Sequence, residues 1–236
     1  MHRMSQSMTT HAGFSKHRIE ALTDGIFAVA MTLLVIELKL PEPSTVLEQG
    51  DLINGVASLI PKFMSWIISF FVLAIFWFAH HRQFHYVRVV DGKLLGLNIL
   101  YLSFVSLMPF SSALAGEYSR LLFSQIVYST NMTLLAVGGL LNARYVFHHP
   151  ELWSVPVQTG FYRGSLFRIA GLIVVAISAV GIAMVLPGSG NAAFMLMMPI
   201  SIISKRIERR AFAGLGPPRL LAKDQESANA GKAGKH

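Results

Sequence analysis

Residues 17–37 read His17-Arg18-Ile19-Glu20-Ala21-Leu22-Thr23-Asp24-Gly25-Ile26-Phe27-Ala28-Val29-Ala30-Met31-Thr32-Leu33-Leu34-Val35-Ile36-Glu37. A helix that crosses a bilayer needs about 20 predominantly apolar residues, and the stretch 18–39 meets that length. It is too long for the apolar region of a signal peptide and has no small-residue cleavage site, so it reads as a retained first span. On a helix that advances 100° per residue, with Asp24 at zero, Arg18, Gly25, Val29, Thr32 and Ile36 fall between about 80° and 140°. These five residues form one stripe. Asp24 points about 120° away from it, toward another helix.

The rest of the chain agrees with a membrane solvent. Of its 236 residues, 53% are hydrophobic and only 14% are charged, whereas soluble domains carry roughly 25% charged residues. Six apolar stretches appear, at about 18–39, 56–80, 94–115, 121–146, 165–186 and 192–205. The last two are separated by Pro187-Gly188-Ser189-Gly190, a short reversal that predicts a helical hairpin. The fold class expected is an all-α integral membrane protein with six transmembrane helices per chain. No internal repeat is visible among them.

The net charge of +8 would suggest nucleic-acid binding in a soluble protein. Its distribution says otherwise. With six spans, seventeen of the twenty Lys and Arg fall on one side: the N-terminal segment, the 2–3 and 4–5 connections and the tail. Lys39, Lys62 and Arg120 remain on the other, beside Glu37, Glu42, Glu48, Asp51 and Glu117. The positive-inside rule then places both termini in the cytoplasm and leaves nucleic acid without a role. Residues 213–236, rich in Gly, Ala, Pro and Lys, read as a disordered basic tail near anionic headgroups.

Ionisable groups in a span mark function by default. Asp24 lies six residues from Arg18, which is neither i+3 nor i+4, so it needs a partner from elsewhere in the bundle. Trp77, His80 and His81 at the end of the second span, and Asn98 early in the third, lie at about its depth. They predict a hydrogen-bonded clasp that fixes the first helix against the second and third. Tandem His80-His81 and His148-His149 diverge by about 100° on a helix and cannot give one metal or haem two ligands, as i, i+4 spacing would. With no cysteine, thiol catalysis, thiolate zinc sites and disulfides are excluded. No phosphate loop, Gly-x-Ser-x-Gly elbow or intramembrane carboxylate pair occurs. No enzyme activity and no cofactor is expected. Gly138-Gly139 suggests a close helix contact.

Arg18-x-x-x-Leu22-Thr23-Asp24-Gly25, followed by Phe27-Ala28 and Thr32-Leu33-Leu34-Val35, resembles the Arg-x-x-x-Phe-Ser-Asp signature of the bacterial members of the transmembrane protein one-seven-five family of potassium channels. Leu22 replaces Phe and Thr23 replaces Ser. The likeness continues in Trp77-x-x-His80-His81-Arg82, Leu97-Asn98 and Met108-Pro109-Phe110. The resemblance implies a homotetramer around a central pore lined by the first helix, in a prokaryotic cell membrane. Potassium would be the permeant ion. The sequence lacks the Thr-Val-Gly-Tyr-Gly carbonyl filter.

Carried over residue by residue, the resemblance assigns Val29, Thr32 and Ile36, with Leu33 as neighbour, to the pore. The Thr32 hydroxyls would meet a partly dehydrated potassium ion, and the apolar rings would form a constriction that gates by dewetting. Arg18, Leu22, Thr23 and Asp24 carry the motif, with Trp77, His80, His81 and Asn98 as clasp partners. The domains expected are an N-terminal segment 1–16, a channel domain 17–212 and the tail 213–236. The alternative is a proton- or cation-coupled secondary transporter, in which Asp24 and the histidines relay protons.

Overall fold

The computed structural model describes residues 15–40, 48–157 and 159–213. Residues 1–14 and 214–236, and with them the N-terminal segment and nearly all of the basic tail, lie outside the described residues. The chain is helical: α1 Lys16–Ile36, α2 Gln49–Ser58, α3 Ile60–His85, α4 Gly92–Ser106, α5 Met108–Glu117, α6 Leu122–His148, α7 Thr159–Val185 and α8 Met197–Ala213. Short 3₁₀ segments cover Pro150–Leu152 and Gly190–Leu196. Among the described residues the one β-like feature is an isolated antiparallel bridge between Val87 and Trp153.

Among the described residues five helices are long and apolar enough to cross a bilayer, counting α4 and α5 together over Gly92–Glu117. The α4–α5 joint falls at Leu107, just before Pro109. Proline has no N–H to give and its ring crowds the preceding turn, so the span breaks there and restarts. The predicted stretch 192–205 is not one helix. It starts as 3₁₀ turns and becomes α-helical only at Met197, two residues before Pro199, whose missing N–H falls in the first turn, where none is required. Helix α8 then runs on to Ala213 through Lys205, Arg206 and Glu208. Helix α2, which lies between the predicted first and second spans, starts on a capping box in which Asp51 accepts the Glu48 N–H at 3.1 Å.

Successive spans run in opposite directions. The start of α1, the ends of α3, α6 and α8, and the starts of α4 and α7 meet at one end of the bundle. There the Ser154 amide donates to Tyr86 O at 2.8 Å and the Arg88 amide to Leu152 O at 2.7 Å, tying two connections together. Asp91 caps α4 by accepting the Leu94 amide at 2.8 Å, and accepts the Tyr145 hydroxyl of α6 at 2.6 Å. This is the basic end, with Lys16, Arg18, Arg88, Lys93, Arg144 and Arg163. At the opposite end Lys62 pairs with Glu117.

The buried core joins Phe27 and Leu34 of α1 to Leu73 of α3, Tyr101 of α4, Tyr128 and Leu135 of α6 and Leu172 of α7. Small residues let the helices close on one another. A Cβ at Gly138 would stand 3.3 Å from the Tyr101 Cα, so α6 meets α4 at the Gly138-Gly139 pair. A Cβ at Gly171 would fall 2.8 Å from Ile200, which sets the α7–α8 contact.

Candidate functional site

Helix α1 has two faces. Ile19, Thr23, Phe27, Ala30 and Leu34, spaced three or four residues apart, are buried against the rest of the chain. The opposite face has no cover among the described residues: Val29 is 56% and Ile36 62% exposed, and Arg18, Leu22, Gly25, Thr32 and Leu33 are exposed with them. The stripe computed from helical angles is therefore this open face. An open groove of about 360 Å³ runs beside it between Leu22, Gly25, Val29, Leu33 and Ser106.

Thr32 is the one hydroxyl on this stretch of the face. Its O–H is turned back onto its own helix, donating to Ala28 O at 3.0 Å or Val29 O at 2.9 Å. That geometry satisfies the donor locally and leaves oxygen lone pairs for an external partner.

Behind α1 the polar residues sort into two sets. Trp77 donates its indole N–H to Asp24 Oδ1 at 2.8 Å, joining α3 to α1. Deeper in, His80 Nε2 meets Asn98 Oδ1 at 2.8 Å, and Asn98 Nδ2 donates to Thr23 Oγ1 at 3.2 Å. This second chain links α3, α4 and α1. Thr23 is 1% and Asn98 0% exposed, so water cannot replace these bonds. The His80 ring is held between Phe84 and Tyr101, with centroids 4.3 and 5.5 Å away. His81 faces outward; its ring lies 6.0 Å from that of Trp77. Of the four residues considered for Asp24, Trp77 bonds to it, while His80 and Asn98 serve the neighbouring Thr23.

One polar group escaped the sequence reading. Arg168 of α7 bonds Glu208 of α8 at 2.8 Å, and Arg82 of α3 holds the other oxygen of the same carboxylate at 2.5 Å. Arg168 also donates to Ser204 Oγ and Ser165 Oγ, each at 3.0 Å. Glu208 reaches this position because residue 164 is glycine; a Cβ there would lie 2.5 Å from the Glu208 side chain. The available signal in the sequence is an arginine inside the apolar run 165–186. Outside the spans, burial raises the Asp91 carboxyl, but the Tyr145 hydroxyl and the Leu94 amide that donate to it prevail and leave it below its ordinary value.

Residues 18–109 match the family described as "Endosomal/lysosomal potassium channel TMEM175". A potassium channel of Streptomyces collinus is 38% identical over 103 residues, which is 44% of this chain and 48% of that one. The endosomal/lysosomal proton channel TMEM175 of Mus musculus is 34% identical over 119 residues, 48% of this chain and 24% of that protein. The matched segments thus span about half the length of the bacterial relative and a quarter of the mouse one. The crystal structure of a lysosomal potassium-selective channel TMEM175 homolog from Chamaesiphon minutus superposes with a TM-score of 0.66 at 26% identity, covering 80% of this chain and 97% of that one. The resemblance to this channel family is therefore present in sequence across α1, α3 and α4 and in the fold of most of the chain.

Proposed function

We infer that this chain, similar over residues 18–109 to the TMEM175 family, forms a cation-conducting pore in a membrane, with α1 as its wall. The observation that carries the reading is the division of α1. Phe27, Ala30 and Leu34 are buried while Val29, Thr32, Leu33 and Ile36 face outward. An apolar helix stripe bearing a single hydroxyl layer suits a shared axis, where four copies bring their stripes together as a homotetramer.

In that assembly Val29 and Ile36 make apolar rings, with Leu33 beside them, and Thr32 offers oxygen lone pairs to a cation that has shed part of its water. Potassium holds its hydration shell less tightly than sodium, so a narrow apolar neck favours potassium. Such a neck closes by expelling water. The clasp residues Thr23, Asp24, Trp77, His80 and Asn98 hold α1 at the angle that presents the stripe; Arg18 and Leu22 continue that face toward the basic end, and His81 backs Trp77. The six-span topology is completed by Gly190–Leu196 with the first part of α8. It puts both termini and the basic end in the cytoplasm of a prokaryotic cell.

Purified full-length chain in planar bilayers, under opposed potassium and sodium gradients, tests the reading. Unitary current steps with a reversal potential displaced toward potassium are expected. Slow, strictly coupled flux without unitary steps would favour the secondary transporter. A stable monomer in mild detergent would leave α1 without the copies it needs.

A further inference from the structure

The bundle contains a second polar feature, away from the open face of α1. A pocket of about 40 Å³ lies toward the basic end, between α3, α4, α6, α7 and the start of α8. Since one water needs about 10–15 Å³ measured this way, the space suits about three waters or one halide-sized ion. Ile75, Phe76, Leu140 and Ile169 make much of its wall apolar; Gln83, His80, Ser165 and Arg168 supply polar edges.

Two observations indicate what it takes. Gln83 is only 4% exposed, and among the described residues its Nε2 has no acceptor. A buried amide donor left unpaired costs free energy, so the site lacks an acceptor. Independently, the adjoining ion group is unbalanced among the described residues: Arg168 and Arg82 share the single carboxylate of Glu208, which leaves one positive charge in excess, with Arg168 and Glu208 each only 11% exposed and Arg82 32%. Among the described residues the Nε atom of Arg82, which is not part of the pocket wall, is also buried without an acceptor. Water would satisfy the amide and leave the charge. A cation would be repelled by it. An anion answers both.

We propose that this pocket binds a small monovalent inorganic anion of chloride size, which accepts from Gln83 Nε2 and balances the Arg82–Glu208–Arg168 group. The bound anion ties α3 to α7 and α8, at a site separate from the α1 stripe and independent of what passes along it.

Bromide serves as the probe. Melting of the full-length protein in detergent is followed as sodium bromide replaces sodium gluconate at constant ionic strength, and crystals grown in bromide are measured at its absorption edge. A saturable rise of a few degrees is expected, with an anomalous peak within hydrogen-bond reach of Gln83 Nε2. Gln83→Leu should abolish the shift. Gln83→Glu, which places a carboxylate in the pocket, should also abolish it while keeping the fold, and decides the matter where the leucine variant fails to fold. Equal melting in both salts would overturn the proposal, as would a peak with no melting shift, which marks an adventitious ion only. So would a shift that survives in a folded Gln83 variant.

Discussion

Trp77 and Asp24, 53 residues apart in the chain, meet through an indole N–H and a carboxylate oxygen at 2.8 Å. One position along α1, Thr23 is joined to His80 through Asn98. Adjacent side chains on α1 thus engage different partners, one near the helix surface and one in the core, and together they fix both the tilt and the rotation of the helix. Rotation matters most, because a turn of one residue would exchange the Val29 stripe for a different face.

Trp77→Phe keeps the ring and removes only the donor. A hydrogen bond between membrane helices contributes on average about 0.6 and at most about 1.7 kcal/mol. The variant should therefore melt slightly lower and dissociate more readily, with its ion preference kept. Asp24→Ala should act in the same direction. Intact oligomers with altered potassium-to-sodium permeability would contradict the clasp role; thermal unfolding and bi-ionic reversal potentials make the comparison.

Ile36 stands on the open face at 62% exposure. Replacing it with asparagine substitutes a polar side chain of similar length in an apolar ring and lowers the cost of wetting. Unitary conductance should rise several-fold. A conductance equal to that of the unmodified protein would remove Ile36 from the pore wall.

Gly164→Ala forces a methyl group to within 2.5 Å of Glu208. The Glu208 side chain must then shift, which weakens its hold on one or both arginines. Leaving a buried charge without its partner costs up to about 3–5 kcal/mol, so this small substitution should destabilise the protein more than Trp77→Phe. Glu208→Gln should resemble it. Melting temperatures of the three variants, measured side by side, test the order.

The Asp91 carboxyl is held below its ordinary value by Tyr145 and Leu94. A group with a lowered folded-state pKa contributes stability that is present above its unfolded value and is lost as pH falls through the folded one. Tyr145→Phe removes one of the two donors. The gap in melting temperature between the unmodified protein and this variant should be full at neutral pH and close as the medium is acidified through the carboxylate range. A gap that widens on acidification would reverse the assigned sign.

The sequence exposed the large features because they depend on local quantities. Apolar run length located the five long spans, and the 100° helical step separated the Val29–Thr32–Ile36 stripe from Asp24. The same local signals failed where backbone chemistry or distant charge took over. Pro109 divided the third span, Pro199 delayed the last helix, and α2 was too short and too polar to register as a span. Arg168 lies close to the start of the fifth span, where run length alone groups it with the connection charges, and its partner Glu208 is 40 residues away in sequence.

What the sequence alone determined is that α1 is an apolar helix with a continuous stripe and an acidic residue aimed away from it, since both follow from residue order and helix pitch. Tertiary structure decided which face of α1 the chain covers, that Trp77 takes Asp24 while Asn98 takes Thr23, and that one carboxylate serves two arginines. Those outcomes rest on the approach of helices that are distant in sequence; Gly138 lets α6 close on Tyr101 of α4, and Gly164 leaves room for the Glu208 carboxylate.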